Sequence, residues 1–203
     1  MALISYIAKK RILIKNNDWW KTPQKNSRTI LRMLDLKRNE EVAKIVLNSM
    51  GKQILDIIVY EENLRFECRR CATFCCKLGG PKLTKKDIKR ITQTGYKVRE
   101  FLVPFKGGCE GLPTFLGSLK SKEDGSCIFL KFSPEKGIYE CSIYDFRPAL
   151  CKLYPFDFYK INSQSTLLKL IPCCRGLDNP EGELVNEGFI VDSLLDAIFD
   201  LIS

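Results

Sequence analysis

Four cysteines fall within nine residues, Cys68-Arg69-Arg70-Cys71-Ala72-Thr73-Phe74-Cys75-Cys76. Lone cysteines follow at Cys109, Cys127, Cys141 and Cys151, and then comes the adjacent pair Cys173-Cys174. Thiols at this density hold a metal or pair with one another. Either outcome ties distant loops together, so the fold must be organised around those ties. The 203 residues include no histidine, so a soft-metal site here is built almost wholly from thiolate. All ten cysteines lie between Cys68 and Cys174, which places the chemistry in the middle of the chain.

The compartment decides between metal and disulfide. At the N-terminus the apolar residues precede Lys9-Lys10-Arg11, the reverse of a signal peptide. No uncharged apolar stretch approaches the ~18–20 residues that span a bilayer. The expectation is a cytoplasmic protein with reduced thiols and no membrane span, where metal binding prevails. Abundant isoleucine and lysine with no histidine also fit a thermophile. Intracellular disulfides are tolerated there, so a disulfide-stapled protein is one alternative.

The formal charge is +9. Each four-thiolate site holding a divalent metal or a [4Fe–4S]²⁺ cluster carries about −2, so two such sites would bring the total to about +5. Part of the basic excess therefore balances thiolate. No Lys/Arg block exceeds Lys9-Lys10-Arg11, and nucleic-acid binding is the lesser reading of the charge. A protein or redox partner fits better.

The pattern predicts an α+β fold: a small, irregular cysteine-rich metal-binding domain with short hairpins, a helical N-terminal extension and a C-terminal helix. The expected divisions are 1–63, 64–176 and 177–203. Asn39 before Glu40-Glu41 reads as a helix start, and Ile54–Val59 is compatible with helix or strand. Thr84 with Asp87 three residues on forms a capping-box signature, and Gly95 suits the following stop. Asp124-Gly125 turns into a strand at 126–130. A hairpin through 133–137 would set Cys127 and Cys141 on neighbouring strands. Pro148 opens a short helix carrying Cys151, and 156–161 pairs with 166–171 in a second hairpin. In the tail, Val191, Leu194, Leu195, Ile198 and Leu201 would line a buried helix face opposite Asp192, Asp196 and Asp200.

Cys68-x2-Cys71 is the strongest local signal, because a tight turn aims both sulfurs at one ion. Cys75 and Cys76 are expected to point apart. Two four-coordinate sites need eight thiolates, and Cys68, Cys71, Cys75, Cys76, Cys127, Cys141, Cys151 and Cys173 supply them. Cys109 and Cys174 are then spare. One centre with several buried free thiols is the competing arrangement. All-thiolate ligation admits zinc and iron–sulfur alike. Aromatics near the cysteines (Phe66, Phe74, Phe129, Tyr144, Phe146, Tyr154 and Phe156) would exclude water and favour an iron–sulfur cluster, although core packing also accounts for them. Arg147, four residues before Cys151, is placed to support the site with hydrogen bonds to sulfur.

Phe66-Glu67-Cys68-Arg69-Arg70-Cys71…Cys75-Cys76, a Gly-rich turn and Leu83-Thr84-x-x-Asp87 resemble the opening of the CxxCxxCC (YkgJ-type) family of zinc- or iron-chelating domains. The resemblance continues through Cys127-Ile128-Phe129-Leu130, Cys141-Ser142-Ile143-Tyr144, Arg147–Phe156 and Cys173 before Gly176, covering about residues 64–176. The family often has Gly where Ala72 stands. The resemblance implies a metal centre with a structural, redox-sensing or electron-transfer role. The flagellin lysine N-methylase is a larger protein with a related cysteine domain, which keeps a cluster-dependent protein-modifying enzyme as an alternative. Without histidine no Ser-His or Cys-His pair exists, and Asp87, Asp124 and Asp145 read as caps and turns.

Overall fold

The computed structural model describes residues 41–51, 53–77, 79–105 and 115–202. The first strands are β1 (Glu41–Leu47), β2 (Ile54–Val59), β3 (Arg65–Phe66) and β4 (Lys82–Thr84). Helices α1 (Lys85–Thr92) and α2 (Val98–Phe101) precede β5 (Leu102–Pro104) and β6 (Phe115–Leu119). Next come β7 (Leu130–Ser133), β8 (Ile138–Cys141), helix α3 (Ala149–Leu153), β9 (Phe156–Lys160) and β10 (Ser165–Leu170). The chain closes with β11 (Glu183–Leu184), the single turn α4 (Glu187–Phe189), a π-helical turn over Ile190–Leu194 and α5 (Leu195–Ile202). The fold is mixed helix and strand.

The largest sheet is antiparallel, in the order β2-β1-β10-β9. The helix expected to start at Asn39 is therefore corrected: its residues from Glu41 onward are a strand. Val42, Ile45 and Val46 are β-branched, and β10 and β2 supply ladder partners on both sides. These outweigh the acidic first-turn signal. Asn39 and the rest of the expected N-terminal helix lie outside the described residues. No helix among the described residues is long and apolar enough to cross a membrane.

Two apolar cores form. In the first, the inner face of the large sheet (Ile45, Phe156, Leu168) meets α3 and the C-terminal helix (Ile190, Leu194, Ile198). Each such side chain contributes about 1.5–3 kcal/mol on burial. The second core gathers Leu83, Ile91, Phe101, Leu119, Phe129 and Ile143 around the three-stranded sheet β4-β6-β5 and the β7–β8 hairpin.

The C-terminal helix buries one side as expected, but its apolar stripe is displaced. Ile190 is fully buried, whereas Val191 is 40% exposed. Ile190, Leu194, Ile198 and Leu201 recur at three- and four-residue spacing, which leaves Val191 at the edge of the buried stripe.

Asp87 joins the two halves. One carboxylate oxygen accepts from the backbone N–H and the hydroxyl of Thr84, completing the capping box of α1. The other accepts from Arg90 and from the Ala149 N–H at the start of α3, each at 2.9 Å. Arg90 also bonds the Arg147 carbonyl and pairs with Asp200 on α5. One buried carboxylate thus fixes the helix that carries Cys151.

Candidate metal centre

The cysteine loop begins where β3 ends. The Glu67 N–H donates to the Gly176 carbonyl at 3.0 Å, and the Arg69 guanidinium donates to Asn179 Oδ1 at 2.8 Å. These bonds lay residues 67–71 alongside 173–179. Arg70 and Ala72, on either side of Cys71, both have left-handed backbones (φ 48° and 53°). That conformation costs a non-glycine residue about 1–2 kcal/mol. It curls the loop so that Cys68, itself exposed, and Cys71 both border one cavity.

Residues 73–77 make a turn, closed by the Lys77 N–H donating to the Ala72 carbonyl. It brings the sulfurs of Cys75 and Cys76 to 3.6 Å. The adjacent thiols converge, contrary to the sequence expectation, because the turn is neither regular helix nor strand. The Cys127 N–H donates to the Cys76 carbonyl at 2.7 Å, which seats Cys127 beside this pair. Cys127 precedes the hairpin, whose first strand starts at Leu130, later than expected. An Asp124 turn, with the Ser126 N–H and hydroxyl donating to Asp124 Oδ1, aims the segment. Leu130 stands opposite Cys141 in the β7–β8 register. Cys127 and Cys141 therefore lie on neighbouring segments.

These segments line a chamber of about 440 Å³ that is partly open to solvent beside Cys68, Arg69 and Arg70. Cys68, Cys71, Cys75 and Cys76 form its wall on the side of the cysteine loop. Cys127, Cys141 and Cys151 line another part, and Cys173 and Cys174 a third. All eight expected ligands reach the chamber, and so does Cys174, which sequence reasoning set aside. Cys109 lies outside the described residues. No disulfide joins the nine described cysteines. Among the described residues, no three Cys, Asp or Glu side chains stand as a ready-made site for a single ion. The thiols ring a volume rather than a point.

Of the expected aromatics, Phe66, Phe74, Phe129, Tyr144 and Tyr154 line the chamber. Phe146 is exposed, and Phe156 belongs to the first core. Arg147 lines it too, stacked 3.7 Å from the Tyr144 ring centroid with its Nε–H on the Tyr144 carbonyl.

Burial raises the thiol pKa at several positions. Cys75 is raised first by its hydrogen bond with Cys76, then by burial and by the charges of Cys76 and Cys71. Cys127, Cys141 and Cys151 are raised mainly by desolvation, and the Arg147 charge opposes this at Cys141 and Cys151. Burial pushes Cys174 up to about 12; the Gly176 N–H opposes, while Cys71, Cys75 and Cys68 add to the rise. Such thiols stay neutral until a cation arrives. A bound metal reverses the balance, because coordinated thiols deprotonate.

A family model described as "CxxCxxCC: putative zinc- or iron-chelating domain" matches residues 67–175. The chain belongs to this family. An uncharacterised protein from Methanocaldococcus jannaschii is 33% identical over 134 residues, covering 64% of this chain and 68% of the relative. No solved structure matches the chain. Membership in the CxxCxxCC family agrees with the donor set: the matched span contains every cysteine that faces the chamber.

Proposed function

We propose that the chamber holds an iron–sulfur centre ligated by its cysteines and that the protein serves in electron transfer or redox sensing. The observation that carries this reading is the chamber itself, about 440 Å³ ringed by nine cysteines. Four sulfurs at about 2.3 Å from a zinc ion lie roughly 3.8 Å apart and leave no space between them. A polynuclear cluster uses such a volume. Bound there, the group would supply one-electron chemistry.

The protein's own residues hold and screen it. Cys68 and Cys71 present sulfur from the curled loop, Cys127 and Cys141 from the hairpin, and Cys151 from α3. Phe66, Phe74 and Phe129 give it apolar walls. Arg147 sets a positive charge beside Cys141 and Cys151, which favours their thiolate forms.

Zinc is the second reading, favoured by one distance. The 3.6 Å between the Cys75 and Cys76 sulfurs is close to the spacing of a tetrahedral zinc site. Iron, acid-labile sulfide and zinc analysis on protein purified without oxygen, with a visible spectrum, separates the two. Brown protein with matched iron and sulfide is expected. Colourless protein with stoichiometric zinc would establish the second reading. Protein with neither metal, its thiols titrating as free, would remove both.

A further inference from the structure

We infer that the opening of the chamber is an oxyanion site, where Arg147 and Arg70 hold the carboxylate or phosphate group of a small acidic ligand. The site is built from the chain's own cations, and it stands apart from which metal the cysteines hold.

Two guanidiniums share one ring at this opening. The guanidinium carbon of Arg147 stands 3.7 Å from the Tyr144 ring centroid, and that of Arg70 stands 5.0 Å from it. They come from separate segments: Arg70 from the cysteine loop and Arg147 from the turn between β8 and α3. The ring attracts each cation but neutralises neither, and the two repel each other. No described carboxylate forms an ion pair with Arg70, with Arg147 or with Lys152, a third cation on the lining. Glu140 also lines the chamber, but it is paired with Lys136 at 2.9 Å. Asp145, beside Tyr144, is exposed and pairs with none of the three.

The two side chains have different parts. Arg147 donates its Nε–H to the Tyr144 carbonyl at 2.8 Å. This bond fixes the guanidinium plane and leaves the two terminal nitrogens as a fork with no described acceptor. Such a fork takes a carboxylate or phosphate through two parallel N–H···O bonds. Arg70 is exposed and can turn onto an oxyanion seated on that fork. Its backbone is left-handed (φ 48°), a conformation that non-glycine residues adopt at ligand clamps. Balancing thiolate charge gives Arg147 a role beside Cys141 and Cys151. It gives less of one to Arg70, whose charge is screened by solvent at the opening.

The test titrates anaerobically purified protein with phenyl phosphate, benzoate and benzamide, probes of similar size whose heads differ in charge, and follows binding by calorimetry. Phenyl phosphate, benzoate or both should bind and benzamide should not; the tighter anion identifies the head group. Arg70→Ala should weaken that anion about tenfold or more. Lys89→Ala, which removes the same charge from an exposed position on α1, should leave it unchanged. Failure of both anions to bind overturns the inference, and so does benzamide binding as tightly. Equal weakening by Lys89→Ala overturns it as well. Unchanged affinity in Arg70→Ala also overturns it, because an anion ligated directly to a metal does not depend on that guanidinium. Should Arg70→Ala fail to fold, ionic strength decides with the parent, and an affinity indifferent to salt contradicts the site. Metal analysis of the same preparation reports separately on the proposed centre. Arg70-dependent binding in protein without metal removes that reading and leaves this inference standing.

Discussion

Asp87 faces no solvent and accepts four hydrogen bonds, from Thr84 twice, Arg90 and the Ala149 N–H. Its removal leaves two buried N–H groups without acceptors and takes from Arg90 one of its two carboxylate partners. Asp87→Ala should therefore cost about 3–5 kcal/mol in urea unfolding, and a cost under about 1 kcal/mol would contradict this account. Metal content should fall as well, since α3 carries Cys151. At this scale the sequence was partly legible. Thr84 and Asp87 announced their capping box by spacing alone. The second oxygen of Asp87 reaches a residue 62 positions away, and no local pattern encodes that. That Cys174 lines the chamber escaped the sequence for a similar reason. Its neighbours become visible only when residues 173–176 lie beside residue 67.

Gly176 shows how elements depend on close approach. A Cβ there would stand 2.1 Å from the Glu67 carbonyl oxygen, a backbone atom that cannot step aside alone. Gly176→Ala should push the segment carrying Cys174 off the cysteine loop. The expected result is a loss of at least about 1–3 kcal/mol together with reduced metal retention against a chelator; wild-type retention would refute it. The C-terminal helix offers a paired test. Ile190→Ala should cost about 2–4 kcal/mol and Val191→Ala under about 0.5 kcal/mol in chemical denaturation. Equal costs would argue against this placement of the helix, with Ile190 inside and Val191 at the edge. The hairpins at β7–β8 and β9–β10 and the tail helix were readable from turn residues and periodicity. Strand β1 was not, because an acidic start mimics a helix cap and its strand partners lie far along the chain. The π turn leaves no trace in a hydrophobic period.

For the whole molecule, pH should act in opposite directions with and without metal. Cys75, Cys127, Cys141, Cys151 and Cys174 all have thiols raised above the ordinary 9.0. In reduced, metal-free protein the fold favours their neutral form. That stability is complete below pH 9 and is lost as pH climbs through the raised values, about 12 for Cys174. The melting temperature of metal-free protein should fall between about pH 9 and 11. Loaded protein already holds thiolates, so its melting point should stay level there and fall instead in acid, where protons compete with the metal. Parallel alkaline curves for the two forms would mean that these thiols are not ligands.

The cysteines that line the chamber are widely spaced along the chain, and the last of them is Cys174. Roughly 100 residues separate Cys68 from Cys174, and at about 5–20 residues per second of synthesis the first thiols emerge on the order of 5–20 s before the last. If these cysteines are the ligands proposed above, Cys68, Cys71, Cys75 and Cys76 are during that interval a half-built chelator at the ribosome, open to any soft ion or oxidant present. On the proposed metal-binding reading, the nascent chain rather than the finished protein is the form most exposed to the wrong metal.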